Sequence, residues 1–341
     1  MDINVAEALS TRDNFALYKN IESTLIKGTL LEKPKYSILI PTYKRVSTLK
    51  DTIGSALNQD FNGDFNIIVC DNNPERGDET ERYVASLNDA RVLYYKNREN
   101  IGMTGNWNRC FELCDGEYAL MIHDDDILLP NFLSECDKII HKFKSIKILY
   151  PSRVNWYQSN SPASPIPEIT KVARLYKMHL MDFFFQGTAP TGILINKEEM
   201  IRLGGFYEGA YPASDLYFNV KAVINSAIYR YTMPLSIYRW AINETFKLDT
   251  LLKFISVYNP LREKLGKLLG LPHFYVDYSN RQYSYNNYLV IKERFPNELS
   301  NLDKKKLVLP QSKMEVLLYK IITRTIHFYV RLKHQLNSRI I

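Results

Sequence analysis

The chain has no run of about 18 or more apolar residues, so no helix of this sequence reads as crossing a bilayer. Its first residues, Met1-Asp2-Ile3-Asn4, offer neither a basic n-region nor an apolar h-region, and they do not read as a signal peptide. Cysteine is scarce: Cys70, Cys110, Cys114 and Cys136. None is spaced like a zinc knuckle, and Cys110 and Cys114 sit at helical spacing, so all four are expected to be reduced core thiols. There is no internal repeat, and no motif that reads DNA or RNA, so nucleic acid is not an expected partner. The expected location is the cytoplasm, with peripheral attachment to the inner face of the cell membrane as its extension.

What the sequence does contain is a large apolar fraction, 45% of 341 residues, enough for a sizeable core. Lys and Arg number 44 against 37 Asp and Glu, a net charge of +7 that suits anionic partners without choosing among them. Residues 1–34 read as an N-terminal helical extension ending at Pro34. From there apolar strand-like runs alternate with helical patterns: Tyr36 to Ile40 stopped by Pro41, Phe65 to Cys70, Arg91 to Tyr95, and Tyr118 to Ile122. This alternation predicts an α/β fold with a mostly parallel central sheet flanked by helices, residues 35–130 forming one half and 131–245 the other. Ser159 to Pro167 reads as a loop, Lys304-Lys305-Lys306 as a solvated face, and the region from 246 to 341 as helical.

The most telling stretch is His123-Asp124-Asp125-Asp126, which directly follows the fourth apolar run. Adjacent carboxylates at a buried strand end repel one another and lose hydration unless something positive offsets the cost. Oxygen ligands at this density favour a hard cation, Mg²⁺ or Mn²⁺. In parallel sheets ligands bind beyond the carboxyl ends of the strands. Three other polar ends should converge there: Pro41-Thr42-Tyr43-Lys44-Arg45, Asp71-Asn72, and Asn100-Ile101-Gly102, whose glycine permits close backbone approach.

Together these pieces resemble a family 2 glycosyltransferase with the GT-A (Rossmann-like) nucleotide-sugar fold. The resemblance rests on Ser37-Ile38-Leu39-Ile40-Pro41-Thr42-Tyr43, Ile67-Ile68-Val69-Cys70-Asp71-Asn72, Asn100-Ile101-Gly102 and Asp124 to Pro130. It continues in Leu203-Gly204-Gly205-Phe206, Ser214-Asp215-Leu216 and Tyr238-Arg239-Trp240, and spans roughly residues 35 to 245.

The resemblance implies a nucleotide-sugar donor, a UDP-sugar, and an inverting transfer to a glycan or lipid-linked acceptor in surface polysaccharide assembly. It implies that Pro41, Thr42, Tyr43, Arg45, Asp71, Asn100, Gly102 and Asp124 hold the nucleotide, with Thr42 and Asp71 at the uracil and Asp124 at the ribose. Asp125 is then the main ligand of Mn²⁺ or Mg²⁺, with Asp126 in support. Asp215 is the expected general base, preferred over a plain helix-dipole role. Arg239 and Arg45 are candidates to stabilise leaving-group charge. Trp240 either stacks on a sugar or belongs to the core. The chain departs from the family pattern twice. His123 stands where the family has its first acid, and a packed role is preferred there to metal ligation. Ser214 stands where an acid would precede Asp215. A nucleotidyltransferase is the alternative, but it needs a Gly-rich phosphate loop after the first strand, and that loop has no glycine. A non-catalytic nucleotide- or glycan-binding module is the other alternative.

Past Glu315 the chain has no acid. Lys313, Lys320, Arg324, His327, Arg331 and His334 recur at helical spacing over about 313–336, beside Leu317, Leu318, Ile321, Ile322, Phe328 and Leu332. The pattern predicts an interfacial helix with its cations toward anionic headgroups. The competing reading packs this helix on the domain with a basic edge exposed.

Overall fold

The structure is a computed structural model and describes residues 3–30, 33–157, 172–185, 189–240, 247–298 and 312–340. The predicted loop at Ser159 to Pro167 and the lysine run at 304–306 lie outside them.

The alternating block folds as its periodicity demands. Strand β2 (Tyr36–Thr42) pairs in parallel with β3 (Phe65–Asp71), and β3 with β4 (Val92–Asn97); on its other side β2 pairs in parallel with β5 (Tyr118–Met121). Helices α2 (Val46–Leu57), α3 (Glu79–Ser86) and α4 (Gly102–Leu113) make the crossovers. These strands are buried on both faces, so their apolar residues run continuously and divide by parity. Leu39, Ile68 and Leu93 pack on one side of the sheet, Ile38, Ile40, Ile67 and Val69 on the other.

Pro41 does not stop β2, which continues to Thr42 beside Asp71. Leu39 accepts a hydrogen bond from Ile122 on the β5 side. Pro41, two residues on, turns its missing N–H to that same side, where β5 has already ended, so no ladder bond is lost.

Beyond β5 the sheet becomes mixed. The described strand order is β1-β4-β3-β2-β5-β9-β7-β10-β8-β11, with β1 (Ser23–Lys27), β7 (Ile148–Tyr157), β8 (Arg174–Lys177), β9 (Ile193–Asn196), β10 (Ile228–Trp240) and β11 (Arg339–Ile340). Strand β9 runs antiparallel to β5 and β7, while β10 is parallel to β7. A two-residue strand, β6 (Ile127–Leu128), pairs with Ile237 and Ser236 of β10, which draws the end of β10 over the acidic triplet. Helices α5 (Phe132–Lys142), α6 (Leu180–Phe185), α7 (Lys197–Arg202) and α8 (Ser214–Asn225) complete this half.

Both predicted flanking regions belong to the same body. Residues 3–30 contain only a short α1 (Val5–Ala8) and a 3₁₀ turn at Phe15–Tyr18, and β1 then adds an antiparallel edge to β4. Buried Arg109 fixes this segment by donating to the carbonyls of Ile21 and Tyr18 at 2.7 and 2.8 Å. Gly204, at φ +74°, lies so close to the Arg12 carbonyl that a Cβ there would sit 2.0 Å from its oxygen. The glycine pair before Phe206 therefore lets the N-terminal segment dock. At the other end, α9 (Leu248–Leu269) and α10 (His273–Arg294) place Val257, Leu261, Tyr275 and Val276 in the core shared with Leu39 and Ile68. The final helix, α11 (Lys313–Asn337), lies against α10 and β8, and β11 returns to the sheet beside β8.

Candidate active site

The acidic triplet sits in the loop between β5 and β6, beyond the carboxyl edge of the parallel strands. Its members have different surroundings. Asp124 is bound by the loop after β2: it accepts from the Thr42 hydroxyl at 2.8 Å, from Arg45 Nη1 at 3.1 Å and from the Tyr43 N–H. Asp125 accepts from Arg45 Nη2 at 2.7 Å. Asp126 is fully buried; its Oδ1 accepts from the Arg239 N–H at 2.9 Å, the Thr191 hydroxyl also bonds the carboxylate, and its Oδ2 has no partner among the described residues.

His123 joins this group. Its ring stacks on Trp107 at 5.3 Å, its Nδ1 lies 4.0 Å from Asp126 Oδ2, and its buried Nε2 has no hydrogen-bond partner among the described residues. One ligand atom each from His123, Asp125 and Asp126 falls within 4.8 Å of the others. Burial pushes the imidazole down to about 4, so it is neutral and able to ligate at neutral pH. Burial, with the Asp125 charge behind it, lifts Asp126 to about 7; burial lifts Asp124 to about 6. An orphaned carboxylate oxygen, an orphaned imidazole nitrogen and a second carboxylate fit a divalent cation. The packed role preferred for His123 on sequence is therefore only part of its setting, since Trp107 packs one face while Nδ1 lies near Asp126.

The remaining expected residues are placed unequally. Asp71 lies beside Thr42 as predicted, but it is fully buried and its oxygens are engaged: Oδ2 by Lys96 Nζ at 2.8 Å and the Tyr94 hydroxyl at 2.7 Å, Oδ1 by the Asn73 N–H at 2.9 Å. Asn100 accepts from Asn72 Nδ2 at 2.7 Å and from the Gly102 N–H at 2.9 Å, which fixes the loop entering α4. Gly102 has φ +72°, a conformation costly to other residues. Tyr43 is 44% exposed at the rim. The Arg239 guanidinium donates to Asp51 at 2.9 Å, and its backbone N–H meets Asp126. Trp240 ends β10, and its side chain lies outside the described residues.

Asp215 opens α8, where its Oδ1 accepts from the Leu216 N–H at 2.8 Å. It is half-buried, and burial lifts it to about 6. Ser214, in the position of the missing acid, is fully buried against Thr104 at 3.1 Å and faces away from solvent. Tyr238 connects the two acidic groups, being acted on by the charges of Asp126, Asp125 and Asp215 together. The residue that sequence reasoning missed is Arg153 on β7. Its guanidinium lies 4.4 Å from the Tyr238 ring centre, and its charge acts on His123, Asp126 and Asp215. The signal available was its place in a stretch of β-prone residues, Ile148 to Trp156, whose strand character is broken up by Pro151, Ser152 and Asn155.

A parallel sheet with carboxylates, an imidazole and arginines at its carboxyl edge is the GT-A class of nucleotide-sugar fold. Residues 37–189 match the profile of Glycosyl transferase family 2. The chain is 38% identical over 104 residues to the GalNAc(5)-diNAcBac-PP-undecaprenol beta-1,3-glucosyltransferase of Campylobacter jejuni, across 30% of this chain and 33% of that protein. The match thus spans a third of that relative's length. The fold is similar to the crystal structure of S. aureus TarS 1–349 in complex with UDP-GlcNAc, with TM-score 0.57 and 18% identity over 80% of this chain and 78% of that one. It is also similar to the mannosyltransferase PcManGT of Pyrobaculum calidifontis in complex with GDP-Man and Mn²⁺, with TM-score 0.51 and 13% identity over 88% and 87%.

Proposed function

We propose that this chain transfers a sugar from a UDP-sugar to a hydroxyl of a lipid-linked glycan, in the assembly of a surface polysaccharide. The observation that carries the reading is the convergence of His123, Asp125 and Asp126, whose candidate ligand atoms lie within 4.8 Å of one another, with Tyr238 feeling the charges of Asp126, Asp125 and Asp215 alike. The name of the Campylobacter relative supports a polyprenyl-diphosphate acceptor, and the TarS complex supports UDP.

In this reading His123, Asp125 and Asp126 hold Mn²⁺ or Mg²⁺, which would neutralise charge on the diphosphate leaving group. Asp215 takes the proton of the acceptor hydroxyl, and burial that lifts its proton affinity toward 6 makes it a better base while leaving it ionised at neutral pH. Thr42 and Arg45 keep the triplet in place from the loop after β2, and the Asn72–Asn100–Gly102 bonds shape the floor on which a base and ribose lie. Asp71, held by Lys96 and Tyr94, borders that floor beside Thr42. Displacement is in line, with inversion at the anomeric carbon. The loop after β2 closes onto carboxylates instead of opening backbone N–H groups to phosphate, which disfavours a nucleotidyltransferase.

Helix α11 attaches the enzyme to the cytoplasmic face of the membrane by a geometry different from the expected one. Tyr319, Ile322 and Ile326 pack on the core, while Leu317, Ile321, Phe328 and Leu336 point outward, Phe328 70% and Leu336 77% exposed. The basic stripe flanks this outer apolar face.

The test is incubation with Mn²⁺, a panel of UDP- and GDP-sugars and a synthetic polyprenyl-diphosphate N-acetylglucosamine, following nucleotide release. Acceptor-dependent release selective for one UDP-sugar, lost in Asp215→Asn, is expected. Release that ignores the acceptor, or survives Asp215→Asn, overturns the reading.

A further inference from the structure

Between the sheet and α11 lies a second concavity that the donor site does not use. It has a volume of about 540 Å³ and draws its walls from β7, β8, β10, α6 and α11. Its cations are Arg153, Arg230 and Arg331, joined by His327 and His334, and its one carboxylate among the described lining residues, Asp182, is taken by His334 Nε2 at 2.7 Å. Arg153 Nη1 is buried without a hydrogen-bond partner among the described residues. Burial makes the Arg230 charge costly to hold, and Arg153 repels it further. Guanidinium groups stay protonated in proteins. Like charges gathered around a cavity are expensive until an anion arrives.

The position narrows the choice of anion. Arg153 lines the cavity, and its charge also acts on the Asp215 and Asp126 carboxylates. His327 and Arg331 also line a depression of about 400 Å³ on α11, with Lys320, Arg324 and exposed Phe328. A cationic track therefore runs from the outer apolar face of α11 inward to the candidate general base. A molecule with an apolar tail, a multiply charged anionic link and a sugar hydroxyl would lie along it in that order. Arginine forks match the geometry of phosphate oxygens.

We propose that this cavity is the acceptor subsite for the diphosphate of a prenyl-diphosphate-linked saccharide, with Arg230 and Arg331 as its specificity-determining groups. The assignment rests on the transferase reading above for its sugar end, but the diphosphate itself is tested separately.

The experiment is calorimetric titration of geranyl diphosphate into the full chain, in the presence of UDP and Mn²⁺ and in their absence. Saturable binding that persists with UDP present is expected, weakened at least tenfold by Arg331→Met and by Arg230→Met, with UDP affinity unchanged. Geraniol and phosphatidylglycerol vesicles serve as arms that separate diphosphate recognition from binding of the tail or of a bulk headgroup. Arg331 lies on an exposed helix face, so its variant is expected to fold even if Arg230→Met does not. Displacement of geranyl diphosphate by UDP, equal binding of geraniol, or affinity untouched in Arg331→Met overturns the proposal. A chain that fails to bind UDP yet binds geranyl diphosphate through Arg331 keeps this subsite and loses the donor reading instead.

Discussion

The backbone N–H of Arg239 donates to the Asp126 carboxylate at 2.9 Å across 113 positions of sequence. The bond follows from the pairing of Ile237 with Ile127, which brings β10 against the acid loop. It uses one carboxylate oxygen and leaves the other buried, 4.0 Å from the His123 ring. A buried acceptor with no donor costs about 1–3 kcal/mol. The fold carries that cost at the point where three ligand atoms converge.

Metal binding should release protons. Asp126 is raised to about 7 without a cation, so near pH 6 it is largely protonated, whereas a cation needs the carboxylate. Mn²⁺ affinity is expected to rise from pH 6 to 8. Titrations at pH 6 in buffers of different ionisation enthalpy should report close to one proton released, falling toward zero at pH 8. A buffer-independent enthalpy at both pH values would contradict this.

Asp215→Asn should separate activity from stability. A general base contributes about 10²- to 10⁴-fold, so transfer should fall by that factor. Because burial raises the folded-state affinity of Asp215 for its proton from 3.8 to about 6, its charge is tolerated worse in the folded protein than in the unfolded one. The penalty is absent below pH 4, grows as pH rises through 6, and is constant above. Removing the charge should therefore stabilise the fold above pH 6 by up to about 2 kcal/mol, discounted for partial solvent access, and do nothing near pH 4. Urea melts at the two pH values check the sign.

Arg45 spans Asp124 and Asp125 at 3.1 and 2.7 Å and is the main offset to their repulsion when no cation is bound. Arg45→Met should lower metal-free stability by about 1 kcal/mol, its partial exposure keeping the effect small. It should also enlarge the Mn²⁺-induced rise in melting temperature. Equal Mn²⁺ shifts in variant and wild type would show that the arginine and the cation do not oppose the same charge.

Liposome flotation tests α11. Vesicles rich in phosphatidylglycerol should carry the wild type. Leu317→Glu combined with Phe328→Glu should abolish flotation, because both residues point outward and neither supports the core. Lys320→Gln with Arg324→Gln should weaken it in a salt-dependent way. Unchanged flotation of the glutamate variant would remove the outer apolar face from the account.

How much of this was legible in the sequence depended on local signals. The four parallel strands announced themselves because each is a continuous apolar run punctuated by turn residues, and the acids at their ends followed from that. Strand β1 was not legible: Ser23 to Lys27 is half exposed, and only its pairing with β4 makes it a strand. Asp71 was legible as the acid at the end of β3, but nothing local says that Lys96, Tyr94 and Asn73 bond its oxygens. Arg153 was missed because its relevance arises from the parallel pairing of β7 with β10. The orientation of α11 could not be read from its wheel, because two of its three faces are apolar and only tertiary contact decides which one is inside.

A divalent ion held by His123, Asp125 and Asp126 should in turn hold a nucleotide diphosphate. Calorimetric binding of UDP to the wild type, with Mn²⁺ and with chelator, measures this coupling, with Asp125→Ala as the paired variant. At least tenfold tighter UDP binding with Mn²⁺ is expected in the wild type, and no Mn²⁺ effect in Asp125→Ala. Equal UDP affinity with and without the metal, or an undiminished metal effect in Asp125→Ala, would rule the coupling out.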